Sequence, residues 1–377
     1  MCRINILYLI YLKIPMKESY FSLGLMSGTS MDGVDASIIS SNGKDKYHSI
    51  YDEFYEYDKE IREELNLCRE KINTKEDIFK FKSDLNSLEK KLTFFHAKIT
   101  NEILNKKKKE IDLIGFHGQT MFHEGDNKTS FQIGDGNLLS QLTKKKVVYD
   151  FRKNDLKNGG QGAPLVPIFH KLLSKFTEKN IVSFLNIGGI SNETIINDSG
   201  KMSAKDVGPG NCLIDKWIRL NTKDLYDNKG EIAKSGKVDH IILENNIDFF
   251  LNSKISKKKS LDIHDFDYSF VRGLSLNDGA ATLTEFTAEI ISKNILNKNI
   301  YVCGGGRKNN FLIKRIEEKI RNKINMIEDL NLNGDFIESQ AFAFLAVRSI
   351  LKLPISFPST TGCKSPTVGG DFVKKLN

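Results

Sequence analysis

Short apolar runs closed by glycine alternate along this chain with longer amphipathic stretches. The first run, Tyr20 to Met26, stops at Ser27-Gly28-Thr29-Ser30, and a second, Val34 to Ile39, follows Asp32-Gly33. Two apolar runs joined by such a turn predict a β-hairpin. Thr74 with Asp77 three residues on forms a capping box. After it, Ile78, Phe81, Leu85, Leu88, Leu92, Phe95, Ile99 and Ile103 recur at steps of three or four, which predicts one long amphipathic helix. It closes in lysines from Lys106, where cations suit the negative end of the helix dipole.

The alternation continues. Ile111 to Phe116 reads as a strand ending at His117-Gly118-Gln119-Thr120, and Val147 to Phe151 as one ending at Arg152. Asn158 to Pro164 is turn-rich, either a crossing between lobes or a site loop. Ile181 to Ile187, closed by Gly188-Gly189, and Ile190 to Ile196 repeat the strand–glycine turn–strand unit. Asp206 to Asn211 is a turn before a helix over Leu213 to Leu220, and Asp278-Gly279 opens another to Ile291. Asn299 to Cys303 is a strand ending in Gly304-Gly305-Gly306; helices follow from Asn309 and over Glu338 to Leu351. Strands alternating with helices predict an α/β fold, and such sheets take ligands at strand C-terminal ends, where these glycines lie.

At 377 residues the chain exceeds one ordinary core, which predicts two lobes. The formal charge of +8 comes from runs such as Lys106 to Lys109, Lys144 to Lys146 and Lys257 to Lys259, without interleaved aromatics or arginines. They read as solvated surface, not a nucleic-acid face, although a positive field attracts an anion such as ATP. Five scattered cysteines with no CxxC pair exclude a disulfide framework or zinc site and suit a reducing cytoplasm. Ile4 to Leu12 is too short to span a bilayer and lacks a small-residue cleavage site. Residues 1–16 therefore read as an N-terminal extension, with no membrane partner.

Several motifs fail on spacing. Gly230 to Lys237 misses the P-loop by one residue and then meets Val238. No GxGxxG follows a strand, and Gly28 to Asp32 breaks GxSxG at its last position. His117 and His123 lack zinc-motif spacing. Three glycine turns survive. Backbone N–H groups in such turns can point at phosphate oxygens. The hydroxyls of Thr29 and Ser30 add donors, and Asp32 or Asp35 can hold Mg²⁺. Two phosphate hairpins and a late adenosine turn resemble the actin, Hsp70 and sugar-kinase layout.

A narrower resemblance lies in the strings Gly24 to Asp35, Phe116 to Thr120, Gln132 to Gly136, Asp150 to Arg152, Gly159 to Pro167, Leu185 to Gly189 with Ser191-Asn192, Asp206 to Asn211, Cys303 to Gly306, and Glu338 with Ala341-Phe342-Ala343. In unbroken order from Tyr20 onward, they resemble the anhydro-N-acetylmuramic acid kinases. That resemblance implies an ATP- and Mg²⁺-dependent cytoplasmic enzyme, a homodimer, acting on an anhydro amino sugar. It implies a two-lobed fold with the active site in the cleft. Residues 17–150 with 352–377 would form the first lobe and 151–351 the second. Gly28, Thr29, Ser30, Met31, Asp32, Gly33, Val34, Asp35, Gly188, Gly189, Gly304 and Gly305 would bind ATP, with Asp32 near Mg²⁺. Asp206 would be the general base. His117, Gln119, Arg152 and Glu338 would meet the sugar; His117 and Gln119 can equally brace the loop. Asp206 can also simply cap the next helix, Arg152 be an ion-pair partner and Glu338 favour a helix start. Lys205, Lys153-Asn154 and Lys157-Asn158 depart from the family pattern without removing a group the chemistry needs. The alternatives are a kinase of an ordinary sugar and an actin-like ATPase.

Overall fold

The computed structural model describes residues 17–107, 110–258 and 260–374. The expected N-terminal extension and parts of two lysine runs lie outside the described residues. The strands are β1 (Tyr20–Ser27), β2 (Gly33–Ser41), β3 (Tyr47–Glu56), β4 (Leu113–Glu124), β5 (Thr129–Ile133), β6 (Lys146–Tyr149), β7 (Val182–Ile187), β8 (Ile190–Ile196), β9 (Met202–Pro209), β10 (Ile300–Cys303), β11 (Asn325–Met326) and β12 (Asp371–Val373).

They form two sheets, as the α/β reading expects. The first runs β12-β6-β4-β1-β2-β3, with β5 attached to β4; the second runs β11-β10-β7-β8-β9. Both contain the same pattern. β1-β2-β3 and β7-β8-β9 are antiparallel meanders, and each first strand pairs in parallel with a later one, β4 or β10. β12 adds antiparallel to β6, so the C-terminal segment returns to the first sheet. Among the described residues no helix is long and apolar enough to cross a membrane.

The helix Ile337–Ile350 is buried over most of its length and packs across β1, β2 and β4. Its approach is set by Gly24 and Gly115, cross-strand partners in the β1/β4 register. A Cβ on Gly24 would fall 1.8 Å from the Ser339 carbonyl oxygen, and one on Gly115 2.3 Å from that of Phe342. The same helix shares a core with Phe169, Phe184 and Tyr301, so it lies between the two sheets.

Three elements differ from the pattern-based expectation. The long helix is two, Lys75–Lys80 and Lys82–Lys107. The capping box at Thr74 is present, but Phe81 leaves helical geometry at φ −101°, ψ 21°. Its ring lies against the ammonium groups of Lys71 and Lys80, at 5.6 and 5.1 Å. Periodicity cannot register that step, because Leu85 to Ile103 keep the same buried stripe. Next, β4 does not stop at Phe116. It continues to Glu124, bending at Gly118 (φ +71°), where the Ile133 carbonyl would sit 2.4 Å from a Cβ. Finally, Asp206 lies inside β9 and does not cap the helix Cys212–Asn221, whose N-cap Asn211 makes no side-chain cap bond.

Candidate active site

The turn between β1 and β2 is tied from beneath. Gln119 Nε2 donates to the Gly28 carbonyl at 2.9 Å, Met31 N–H to the same oxygen at 3.3 Å, and Tyr57 N–H to the Asp32 carbonyl at 2.9 Å. Met31 takes a left-handed conformation (φ +55°) and is buried, while Thr29 and Ser30 are exposed, with Ser30 Oγ donating to Asp32 Oδ1 at 2.6 Å. Gly33, Val34 and Asp35 already belong to β2.

The β7–β8 turn faces it. A Cβ on Gly189 would lie 2.7 Å from Thr29 Oγ1, so the turns of the two sheets approach to contact. The carbonyls of Gly188 and Gly189 accept from Asn211 and Gly210 N–H at 2.8 and 2.9 Å, which fixes this turn to the end of β9. Gly304 (φ +78°) stands behind: its missing Cβ would collide with Asn186 Oδ1 at 2.3 Å and the Ile187 carbonyl at 2.7 Å. Gly305 faces open space.

Arg152 is the electrostatic centre of the remaining candidates. It sits at the N-cap position of the short helix Lys153–Lys157, after β6. One Nη donates to the Gly162 carbonyl at 2.8 Å and the other to His117 Nε2 at 2.9 Å. His117 Nδ1 lies 2.8 Å from the Gly118 carbonyl, which can only accept. The proton therefore sits on Nδ1, and Nε2 is free to accept from arginine. Burial and the Arg152 charge push the His117 imidazolium down to about 3. Burial draws Arg152 down to about 10, against the stabilising charges of Glu338, Asp155 and Asp206. Its Nε has no acceptor among the described residues.

Three carboxylates surround this arginine and the first turn. Asp206 Oδ2 accepts from Leu261 N–H at 2.7 Å. Burial pushes its carboxyl up to about 7; Leu261 N–H and Arg152 oppose the rise, and Asp265 adds to it. Glu338, in the first turn of its helix, accepts from Asn186 Nδ2 at 3.2 Å and is also raised by burial, with Arg152 opposing. Asp35 is raised to about 8 by burial and then by Glu338, Asp32 and Asp335. Among the described residues no three His, Cys, Asp or Glu side chains are arranged to hold a metal by themselves.

The fold thus gathers Arg152, Asp206, Glu338 and Asp35 beside the two facing turns. Gln119 and His117 are turned inward: one braces Gly28 and the other orients Arg152. Two residues that the sequence pattern did not single out belong here. Asn186 links Glu338 to the third glycine turn. Asp155 holds the glycine-rich loop through Gly162 N–H at 2.7 Å and Thr361 Oγ1 at 2.6 Å. An acid among Arg152, Lys153 and Lys157 was the signal for Asp155; Asn186 lay within the second turn string and had no signal of its own.

The family model for anhydro-N-acetylmuramic acid kinase matches residues 20–375. The protein of that name from Pelagibacter ubique is 51% identical over 373 residues, covering 95% of this chain and 100% of its own length. Those from Zymomonas mobilis and Agrobacterium fabrum are 40% and 37% identical, covering 93% and 95% of this chain and 98% and 100% of their own. With its glycine turns and its Asp206–Arg152–Glu338 group inside a match of that extent, the chain belongs to the anhydro-N-acetylmuramic acid kinase family.

Proposed function

We propose that this protein uses ATP and water to open the internal bridge of 1,6-anhydro-N-acetylmuramic acid and to phosphorylate O6, giving N-acetylmuramic acid 6-phosphate. The reaction returns a cell-wall fragment to amino-sugar catabolism. The observation that carries the residue assignment is the convergence of Asp206 and Glu338 on Arg152 beside two glycine turns in contact.

Asp206 is the general base. It takes a proton from a water whose oxygen bonds to the anomeric carbon as the bond from that carbon to O6 breaks. O6 then takes the γ-phosphoryl group, and ADP leaves. A carboxyl brought to about 7 by burial combines an accessible ionised form with enough basicity to accept that proton. Arg152, whose Nε has no acceptor among the described residues, faces the anionic lactyl group of the sugar. Gly28 to Asp35, Gly188 and Gly189 cradle the phosphates, and Gly304 and Gly305 flank the adenosine. Residues 17–150 with the segment from 352 to 374 form one lobe and 151–351 the other, whose helix Ile337–Ile350 seats on the first lobe's sheet.

The acid group fits a hydrated divalent cation. Asp35 is crowded by Glu338, Asp32 and Asp335, and a cation there would offset their repulsion. Asp32 and Asp35 would hold Mg²⁺ through its waters, as magnesium sites built from one or two carboxylates and phosphates do. When bound, it neutralises charge on the transferring phosphoryl group.

The test is mass spectrometry of the sugar incubated with protein, Mg-ATP and ¹⁸O-water, read before the new reducing end exchanges its oxygen. The expected product carries one added phosphoryl group, one added water and the label at C1. ATP consumption with unchanged sugar would overturn the reading.

A further inference from the structure

The segment 260–265 belongs to the second half of the chain yet is anchored on the first. Asp262 accepts from Arg69 Nη2 at 3.2 and 3.3 Å, and Arg69 Nη1 also donates to the Met121 carbonyl. Arg69 ends the helix Lys59–Lys71 and is 8% exposed, and Met121 lies in β4. A second tie lies beside it. His123, also in β4, meets Ser260 Oγ through Nε2 at 3.2 Å and Ser130 Oγ through Nδ1 at 3.0 Å. Between Ser260 and Asp262 stands Leu261, whose N–H donates to Asp206. Ile263, on the same segment, would touch a Cβ on Gly189 at 3.5 Å.

We propose that Arg69 and Asp262 are positioning residues for Asp206: their ion pair across the cleft holds segment 260–265 where the Leu261 N–H meets the base. This inference rests on Asp206 being the base. The pair touches neither sugar nor ATP in this scheme; it acts through one backbone hydrogen bond. A hydrogen bond to the ionised carboxylate favours that form, so the strength of this tie sets the pH at which the base becomes competent. The other charged groups facing Asp206 are Arg152, which favours the carboxylate, and Asp265, which opposes it and is itself paired with Lys258. Asp262 also faces His264 and His123; burial first, with Arg69 contributing, holds both imidazoles below their usual range. Breaking the pair leaves a buried guanidinium without its carboxylate, which displaces the segment rather than leaving it in place.

The experiment uses the full chain with Asp262→Asn and Arg69→Gln, the conservative Arg69→Lys, and Glu318→Gln as a remote ion-pair control. Asn at 262 can still accept the local 3.1 Å bond from His264 N–H, so the turn itself is kept. Amide exchange at Leu261, measured without ligands, should accelerate about tenfold or more in the two disruptive variants and recover in Arg69→Lys. The acidic limb of kcat/KM should move up by about one pH unit in the same variants, with near wild-type rates well above it. A uniform loss at every pH, or unchanged Leu261 exchange in both disruptive variants, overturns the proposal. If the wild type does not phosphorylate the sugar, the functional reading fails, and the exchange data alone decide whether the pair holds Leu261.

Discussion

His117 Nε2 accepts a hydrogen bond from Arg152 at 2.9 Å, while its Nδ1–H is committed to the Gly118 carbonyl. The imidazole packs on Phe342 with the two rings tilted by 51°, ring centres 4.5 Å apart. A neutral ring with a fixed tautomer thus aims a buried guanidinium whose charge is balanced by Glu338, Asp155 and Asp206. The histidine is buried and meets the arginine, which places it to act through Arg152.

His117→Phe keeps a ring against Phe342 and removes the acceptor. The KM for the anhydro sugar should rise about tenfold, the scale of one lost hydrogen bond to a charged group, with a smaller change in kcat. Since burial keeps His117 neutral down to about pH 3, the KM ratio between variant and wild type should stay flat from about pH 5 to 9. Steady-state kinetics across that range checks this; a ratio that swings near pH 6 would mean a titrating imidazole.

As the proposed base, Asp206 should set the acidic limb of activity. With its carboxyl at about 7, kcat/KM should fall as pH drops through neutrality, because the protonated acid cannot take a proton from water. Asp206→Asn should lower kcat by about 10²- to 10⁴-fold and abolish that limb in the residual rate. The pH–rate profile of both proteins is the measurement.

Asp35 should make the ligand-free protein less stable as pH rises. Its folded carboxyl is raised to about 8 from an ordinary value of 3.8. Between those values the folded state binds the proton that the unfolded chain has released, so stability falls with rising pH across the window and levels off above it. Asp35→Asn removes this dependence. The two proteins should melt together near pH 4, and the variant should melt at least about 2 °C higher at pH 8.5. Calorimetry without nucleotide or Mg²⁺ checks both ends.

Two glycine substitutions should separate structure from function. Gly24→Ala puts a methyl group 1.8 Å from the Ser339 carbonyl, against a helix buried on both sides. It should cost more than about 4 kcal/mol or prevent folding. Gly189→Ala crowds the Thr29 hydroxyl at 2.7 Å and meets Ile263 in ordinary contact at 3.5 Å. It should raise KM for ATP about tenfold by parting the two turns, with melting nearly unchanged. Denaturation midpoints and nucleotide titrations distinguish them.

Both glycine hairpins, the strand before each and the helix that follows Asn309 were legible in the sequence, because strand period, turn chemistry and capping are local properties. The resemblance carried the family and singled out Asp206. What each candidate does was not legible. Gln119 and His117 looked alike as sugar contacts, and only the β1/β4 register, which pairs Ser27 with Gln119, turns Gln119 toward Gly28. The break at Phe81 left no mark in the pattern because the apolar positions on either side of it, Ile78 and Leu85, stay in phase.

The chain's own pattern determined its strands, turns and amphipathic faces, since each depends on a few neighbouring residues. Tertiary structure decided which groups meet: Arg152 with His117, Asp206 with Leu261 N–H, Arg69 with Asp262. Those partners lie 35, 55 and 193 positions apart. Sheet order and the close seat of the Ile337–Ile350 helix on Gly24 and Gly115 bring such distant segments together. Burial there, more than residue type, raises the carboxyls of Asp206 and Asp35.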